Sequence, residues 1–340
     1  MRYLSLFSGI EAASVAWQDM GWDCVGFSEI DKFPSEVLNQ RHPNIPNLGD
    51  ITKITNGDLD ALGTTHLVVG GSPCQSFSIG GQRGGLEDPR GQLMLEYIRV
   101  VERLQPKWFL WENVVGVLSA DDGRAFGTLL REMANLGYSL CWRVLDTQNF
   151  GVPQRRRRVY LVGHIGTDRE CAAKVLFDPY RRNRCLEEIK GTEQNTAGEN
   201  EGSSYCDVYN GLMSEVAPTM TTATGTSNGS GPKLIQTAYT MSTFSGWSEG
   251  YGSLCASDYK RPHAHISVVG DRIRRLTPVE CERLQGFPDN YTRIKWRGKD
   301  EENCPISLRY KALGNSMSVP VMKWIGHNIR EYDERYYLPW

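Results

Sequence analysis

A cysteine that follows a buried strand, two glycines and a proline is placed to react. In THLVVGGSPCQSFS, Cys74 comes immediately after such a run and its turn. Its thiol would stand at the carboxyl edge of a sheet, where backbone donors or neighbouring cations can lower its pKa and make it a nucleophile. A single cysteine is by itself more often an inert buried hydrophobe. Two further segments supply context: WFLWENV ends another strand with Glu112 and Asn113, and FGVPQRRRRVY presents Gln154, Arg156 and Arg158 before a strand. An acid and a basic cluster thus meet a cysteine on one rim.

A second set of residues points to a small ligand. In doubly wound folds a ligand lies beyond the carboxyl ends of the strands, over a glycine-bearing first turn, and an acid after the second strand binds ribose hydroxyls. LFSGIEA follows the first strand, with Gly9 allowing close backbone approach, and Glu29 ends the second strand. Asp50, in LGDI, is placed where a third contact could reach an adenine amino group. The turn lacks the second glycine that such loops often carry, because Glu11 occupies that place. A strand-to-helix turn in which Gly9 merely permits tight packing fits these residues equally well.

The elements that must position these groups alternate short apolar strands with helical segments, the pattern of a parallel sheet with crossover helices. YLSLF, CVGF, THLVVGG, WFLWEN and RRVYLVGHI read as strands. EAASVAWQDMG reads as a helix closed by Gly21, and PSEVLNQRH as one with Pro34 near its first turn. GQLMLEYIRVVERL and GRAFGTLLREMANLG read as helices too. In RRLTPVECERLQGFP, Thr277 at the N-cap, Pro278 at the first helical position and Glu280 at the third form a capping box. The expected class is α/β.

From about residue 166 to about 270 Gly, Ser, Thr and Asn crowd together, as in TTATGTSNGSGP, while Tyr239, Phe244, Trp247 and Tyr251 remain. This reads as a loop-rich second domain. The expected boundaries are a catalytic and cofactor-binding domain at 1–165, a recognition domain at 166–270, and a segment at 271–340 that returns to complete the first.

Composition narrows the classes. With 40% hydrophobic and 23% charged residues the chain should form a sizeable core. No stretch has the apolar length of a membrane helix and the first residues do not read as a signal peptide, so a cytoplasmic protein is expected. Nine scattered cysteines with no C-x-x-C pair suggest neither a zinc site nor a disulfide framework. A net charge of −2 argues mildly against a nucleic-acid partner, yet Arg155–Arg158 and Arg181, Arg182, Arg184 are locally dense.

The blocks GGSPCQSFS, WENV, QRRRR, RLTPVECERLQGFP and GNSMSVP, in this order, resemble those of DNA cytosine-5 methyltransferases of bacterial or phage type. The resemblance spans nearly the whole chain outside 166–270. It implies a Rossmann-like S-adenosylmethionine-dependent methyltransferase sheet with a second, smaller target-recognition domain. It also implies that the methyl group of S-adenosyl-L-methionine passes to carbon 5 of a flipped-out cytosine in a specific double-stranded DNA sequence, leaving S-adenosyl-L-homocysteine. Cys74 would add to carbon 6, Glu112 would engage ring nitrogen 3 and the exocyclic amine, a role that requires a raised pKa, Arg158 would hold the carbonyl oxygen, and Arg156 would support the nucleophile loop. Gln154 belongs to the same catalytic set. The cofactor would meet Phe7, Gly9, Ile10, Glu29, Ile30, Asp50, Ile51, Pro73, Asn315 and Ser316. SIGGQRGGLEDPRGQ would close over DNA, with Arg83 and Arg90 as contacts. The resemblance implies a monomer, no metal and, in a restriction-modification setting, a cognate restriction endonuclease.

Other readings fit parts of the sequence. A related branch of the family methylates cytosine in transfer RNA. A nicotinamide oxidoreductase shares the sheet and the Gly9–Glu29 spacing but gives no reason for Cys74, Glu112 and Gln154 to converge. Amino-group methylation is suggested by FDPY at 177–180, which lacks a second proline and follows no glycine-bearing strand.

Overall fold

The computed structural model describes residues 1–73, 89–166, 170–177 and 276–337, together with strands between 205 and 275. Its main sheet contains β1 (Arg2–Leu6), β2 (Asp23–Ser28), β3 (Leu67–Gly70), β4 (Trp108–Val114), β5 (Tyr138–Asp146) and β6 (Arg157–Ile165). They lie in the order β2-β1-β3-β4-β6-β5. β1 pairs in parallel with β2 and β3, and β3 with β4.

The expectation of a parallel sheet fails at one strand: β6 runs antiparallel to β4, with Glu112 opposite Tyr160 and Val114 opposite Arg158. Parallel neighbours need a crossover long enough to return the chain to the same edge. Between β5 and β6 there is only a 3₁₀ turn at Thr147–Phe150 and a few residues after it, so no crossover helix intervenes. The reversal carries the end of QRRRR to the carboxyl end of β4. β5 is itself an addition to the sequence reading, which places no strand in YSLCWRVLD.

The helices α1 (Ala12–Trp17), α2 (Lys32–Arg41), α3 (Asn56–Ala61), α4 (Pro89–Leu104), α5 (Arg124–Asn135) and α6 (Cys171–Phe177) accompany this sheet. Gly21 is left-handed after the 3₁₀ extension of α1, as its position after the apolar run predicts. One core runs through β1, β3, β4 and β6 and against α4 and α5, including Leu4, Val68, Tyr97, Phe109, Trp111, Leu129 and Leu161. Tyr97 of α4 donates to Val68 and Leu110 carbonyls inside it. At Gly70 a β-carbon would come 2.8 Å from the Leu6 carbonyl oxygen, so the last residue of β3 must be glycine for β1 and β3 to approach this closely.

The chain divides into two compact units. One comprises Met1–Leu145, Arg157–Arg181 and Val321–Trp340; the other comprises Asp146–Arg156 and Arg182–Pro320. Within the first, Asn328 of the terminal helix α9 (Val319–Tyr337) donates to the Val175 carbonyl of α6, and Trp17 to that of Met322. The second contains a strand pair of β7 (Tyr205–Asp207) and β8 (Leu212–Ser214) and a sheet in the order β10-β9-β11-β12. Its strands are β9 (Gln236–Ser242), β10 (Gly246–Glu249), β11 (Ile266–Val269) and β12 (Arg272–Arg275). The same unit holds α7 (Pro278–Gln285) and α8 (Ile306–Asn315). α7 begins with the expected capping box: Thr277 accepts from the Glu280 amide and Glu280 from that of Thr277.

Candidate active site

The turn after β1 is built from left-handed residues, with φ of 53° at Phe7, 57° at Gly9 and 64° at Glu11. A β-carbon added at Gly9 would meet nothing within 4 Å, so the backbone there faces open space. Gly9 donates its amide to Glu29 Oε2 at 2.8 Å, and Asp31 donates to Oε1 at 2.7 Å. Burial pushes the Glu29 carboxyl above its ordinary range, against the opposing pull of those amides. The carboxyl end of β2 thus presents a fixed acid over a bare glycine turn.

Asn47 aligns the neighbouring loop. Its side chain accepts from the Glu29 and Gly49 amides and donates to the Glu29 carbonyl, while Ser28 donates to Gly49 oxygen at 2.7 Å. Asp50 follows, its carboxyl held below the usual carboxylate range by the Thr52 hydroxyl and amide. Ile30 is 69% exposed and offers an apolar surface beside Glu29, whereas Ile10 and Ile51 are buried. Phe7 is half-buried. The sequence reading gives Asn47 no role, although Asn in PNLGD is a residue that organises turns through its side chain.

The second cluster forms at the carboxyl ends of β3 and β4. Ser72, in the turn that leads to Pro73, is buried; Trp111 donates its indole N–H to the Ser72 hydroxyl and Asn113 donates to the Ser72 carbonyl. Asn113 Oδ1 in turn accepts the Val114 amide at 2.9 Å. Alternation along β4 sends Glu112 to the opposite side from Trp111 and Asn113. There the antiparallel register brings Arg158, whose Nε lies 3.4 Å from Glu112 Oε1, with both side chains largely buried. Pro73 is exposed. Cys74 and Arg83 lie outside the described residues, and for Arg90 only its place in the first turn of α4 is described. Glu112 and Arg158 therefore meet on one side of the carboxyl end of β4, while Trp111 and Asn113 of the same strand tie down the turn at Ser72 that precedes Pro73.

In the second unit the other half of QRRRR finds a different partner. Arg156 is buried and donates to the Gly314 and Ser316 carbonyls, the latter at 2.7 Å. Asp146 accepts the Arg156 amide, and Thr147 pairs with its carbonyl. One guanidinium thus fixes the end of α8, where Asn315 is exposed and Ser316 buried. Gln154 is fully buried, and its side-chain amide has no hydrogen-bond partner among the described residues. Behind α8, Glu282 accepts from the Asn290 and Thr292 amides and pairs with Arg309 at 3.0 Å.

Comparison with known proteins follows the same outline. Residues 1–331 match the family model described as C-5 cytosine-specific DNA methylase, and the chain belongs to that family. A curated relative from Escherichia phage P1, named a DNA N-6-adenine-methyltransferase, is 32% identical over 464 residues. The match takes in 96% of this chain but only 61% of that relative. The type II methyltransferase M.NgoBI of Neisseria gonorrhoeae is 31% identical, over 95% of this chain and 90% of its own. Among solved structures, the Dnmt2 methyltransferase of S. pombe superposes with a TM-score of 0.63 at 20% identity, covering 97% of this chain and 98% of its own. The sheet is the Rossmann-like sheet of S-adenosylmethionine-dependent methyltransferases.

Proposed function

We propose that the protein transfers a methyl group from S-adenosyl-L-methionine to carbon 5 of cytosine in double-stranded DNA, through a transient bond to Cys74. The Glu112–Arg158 pair supports this reading, because it sets an acid and a cation together at the end of the strand that also holds Ser72, two positions before Cys74 in the sequence. A cytosine ring needs those two groups. Addition of the thiolate to carbon 6 pushes negative charge toward ring nitrogen 3 and the carbonyl oxygen; a proton held by Glu112 at the nitrogen and a donor on Arg158 at the oxygen stabilise it. Carbon 5, now electron-rich, takes the methyl group, its proton leaves, and the bond to Cys74 breaks. The base must leave the helix stack to reach these groups.

The cofactor residues fit the donor. Glu29 offers carboxylate oxygens for ribose hydroxyls, the open backbone at Gly9 leaves room for close approach, and Ile30 offers an apolar face for adenine. Asp50 stands on the adjoining loop with its carboxylate favoured by Thr52. When bound, the donor supplies an electrophilic methyl group. Phe7, Ile10, Ile51, Pro73, Asn315 and Ser316 are the other residues proposed for the cofactor, the last two in the block that Arg156 fixes.

In this reading residues 166–270 read the DNA sequence, Arg83 and Arg90 contact the duplex, Gln154 belongs to the catalytic set, and the chain acts as a monomer in the cytoplasm. A cognate endonuclease would accompany it in a restriction-modification setting; the relative M.NgoBI is named a type II methyltransferase. Among the described residues no helix is long and apolar enough to cross a membrane. The phage P1 relative's name raises adenine as a target, yet part of that relative's length lies outside the match. Incubation with labelled donor and either duplex DNA or transfer RNA, followed by bisulfite sequencing, tests the reading. Conversion-resistant cytosines at one recurring DNA sequence are expected; label in transfer RNA or on adenine alone would overturn it.

A further inference from the structure

Glu11 stands where such turns commonly carry glycine, and its backbone is left-handed, a conformation that side chains rarely adopt. The side chain is 1% exposed, folded beneath the turn. One carboxylate oxygen accepts the Ser5 hydroxyl of β1 at 2.6 Å; the other accepts the Ser14 amide at 3.0 Å and the Ser14 hydroxyl of α1 at 3.2 Å. The Tyr3 phenol lies 2.7 Å from the Ser14 hydroxyl, extending the network into the strand. Strand, turn and helix are joined through one buried carboxyl group.

That group has no counterion among the described residues, since its interactions are with Ser5 and Ser14. The titratable groups facing it are the Tyr3 phenol from β1 and the Cys24 thiol from β2, both pushed up by burial and therefore neutral near pH 7. A buried anion without a counterion favours any cation brought near it. The donor is a sulfonium cation, and its product is a neutral thioether with the same adenosine and amino-acid parts.

We propose that Glu11 is a positioning residue that holds the Phe7–Ile10 turn from beneath and, when ionised, favours binding of the positively charged methyl donor over its neutral product. This rests on the donor assigned above. Burial pushes the Glu11 carboxyl up to about 7, so the preference should switch on across the neutral range.

Calorimetric titration of the full chain with S-adenosylmethionine and with S-adenosylhomocysteine, at about pH 6 and about pH 8, tests it. Donor affinity should rise with pH on the order of 3- to 10-fold while product affinity stays level; the amino group common to both ligands cancels in the comparison. Glu11→Gln should abolish the rise and leave the donor at its low-pH affinity. Glu11→Gly, which suits the left-handed backbone, should do the same in a chain whose turn is unstrained. A rise that persists in both variants, or donor and product affinities that fall together, would overturn the proposal.

Melting of the ligand-free protein separates this from the donor assignment. A carboxyl raised from 4.5 to about 7 keeps its proton in the folded state where the unfolded chain has lost it. The wild-type Tm should therefore fall relative to Glu11→Gln as pH rises from about 5 to about 7. If neither ligand binds wild type but this divergence is present, the donor assignment fails and the buried ionisation stands; parallel melting curves would overturn the role of Glu11 itself.

Discussion

Two carboxylate–guanidinium pairs in this molecule share a chemistry and differ in spacing and burial. Glu282 is wholly buried, takes two backbone amides and the Thr292 hydroxyl, and meets Arg309, which also donates to Thr292. Glu112 meets Arg158 at 3.4 Å, longer than a charge-assisted hydrogen bond, and both side chains keep some access to solvent. The first pair is closed by its own backbone and serves α7 and α8 as a strut. The second sits at strand ends and is the less deeply buried of the two. A pair closed by its own backbone stabilises; under the proposed function, the more open pair at the strand ends acts on the substrate.

Substitutions that treat the two pairs alike should separate them. Glu112→Gln should cut methyl transfer by about 10²- to 10⁴-fold, the usual worth of a positioned proton donor. Because the amide keeps the shape and Arg158 still donates to the Arg157 carbonyl, stability should change by about 1 kcal/mol or less. Steady-state transfer assays and chemical denaturation check the two halves. Comparable losses in both would erase the distinction drawn here.

Glu282→Ala should do the reverse. Removing the acid takes the carboxylate from the buried Arg309 guanidinium and leaves the buried Thr292 amide and the Asn290 amide without their acceptor, costing about 3–5 kcal/mol of stability. Transfer per folded molecule, measured below the melting range, should change far less than in Glu112→Gln. A silent Glu282→Ala in denaturation would show that the network is not a strut.

Smaller effects test the scaffold under the catalytic rim. Gly70→Ala should cost about 1–3 kcal/mol, because the new methyl meets the Leu6 carbonyl rather than a movable side chain. Ser72→Ala should cost about 1 kcal/mol by leaving the Trp111 indole N–H unpaired, and should lower transfer more than stability if the turn positions Cys74. Equal losses would make Ser72 a packing residue only.

What sequence could reveal follows the range of the interactions. Apolar runs such as LVVG and FLW, and the local Thr277–Glu280 box, act over a few residues and are readable from spacing. β5 escaped because YSLCWRVLD is mostly half-buried and mixes polar with apolar residues, leaving no clean apolar run. The reversed direction of β6 escaped because direction depends on the connection, not on strand composition. The roles of Asn47, Ser72 and Asn113 escaped for a related reason: each works through bonds to groups that only the folded chain brings close. Arg156 is partly legible, as one of four arginines, but its grip on the Ser316 carbonyl spans 160 positions.

The proposed reaction turns on a bond between Cys74 and carbon 6 of cytosine. Duplex DNA in which every cytosine is 5-fluorocytosine, supplied with S-adenosylmethionine, blocks the loss that normally frees the enzyme. A denaturation-resistant complex should form, the DNA-bearing peptide should contain Cys74, and Cys74→Ala should form none. Undiminished turnover on that duplex, or an adduct that persists in Cys74→Ala, would contradict the account.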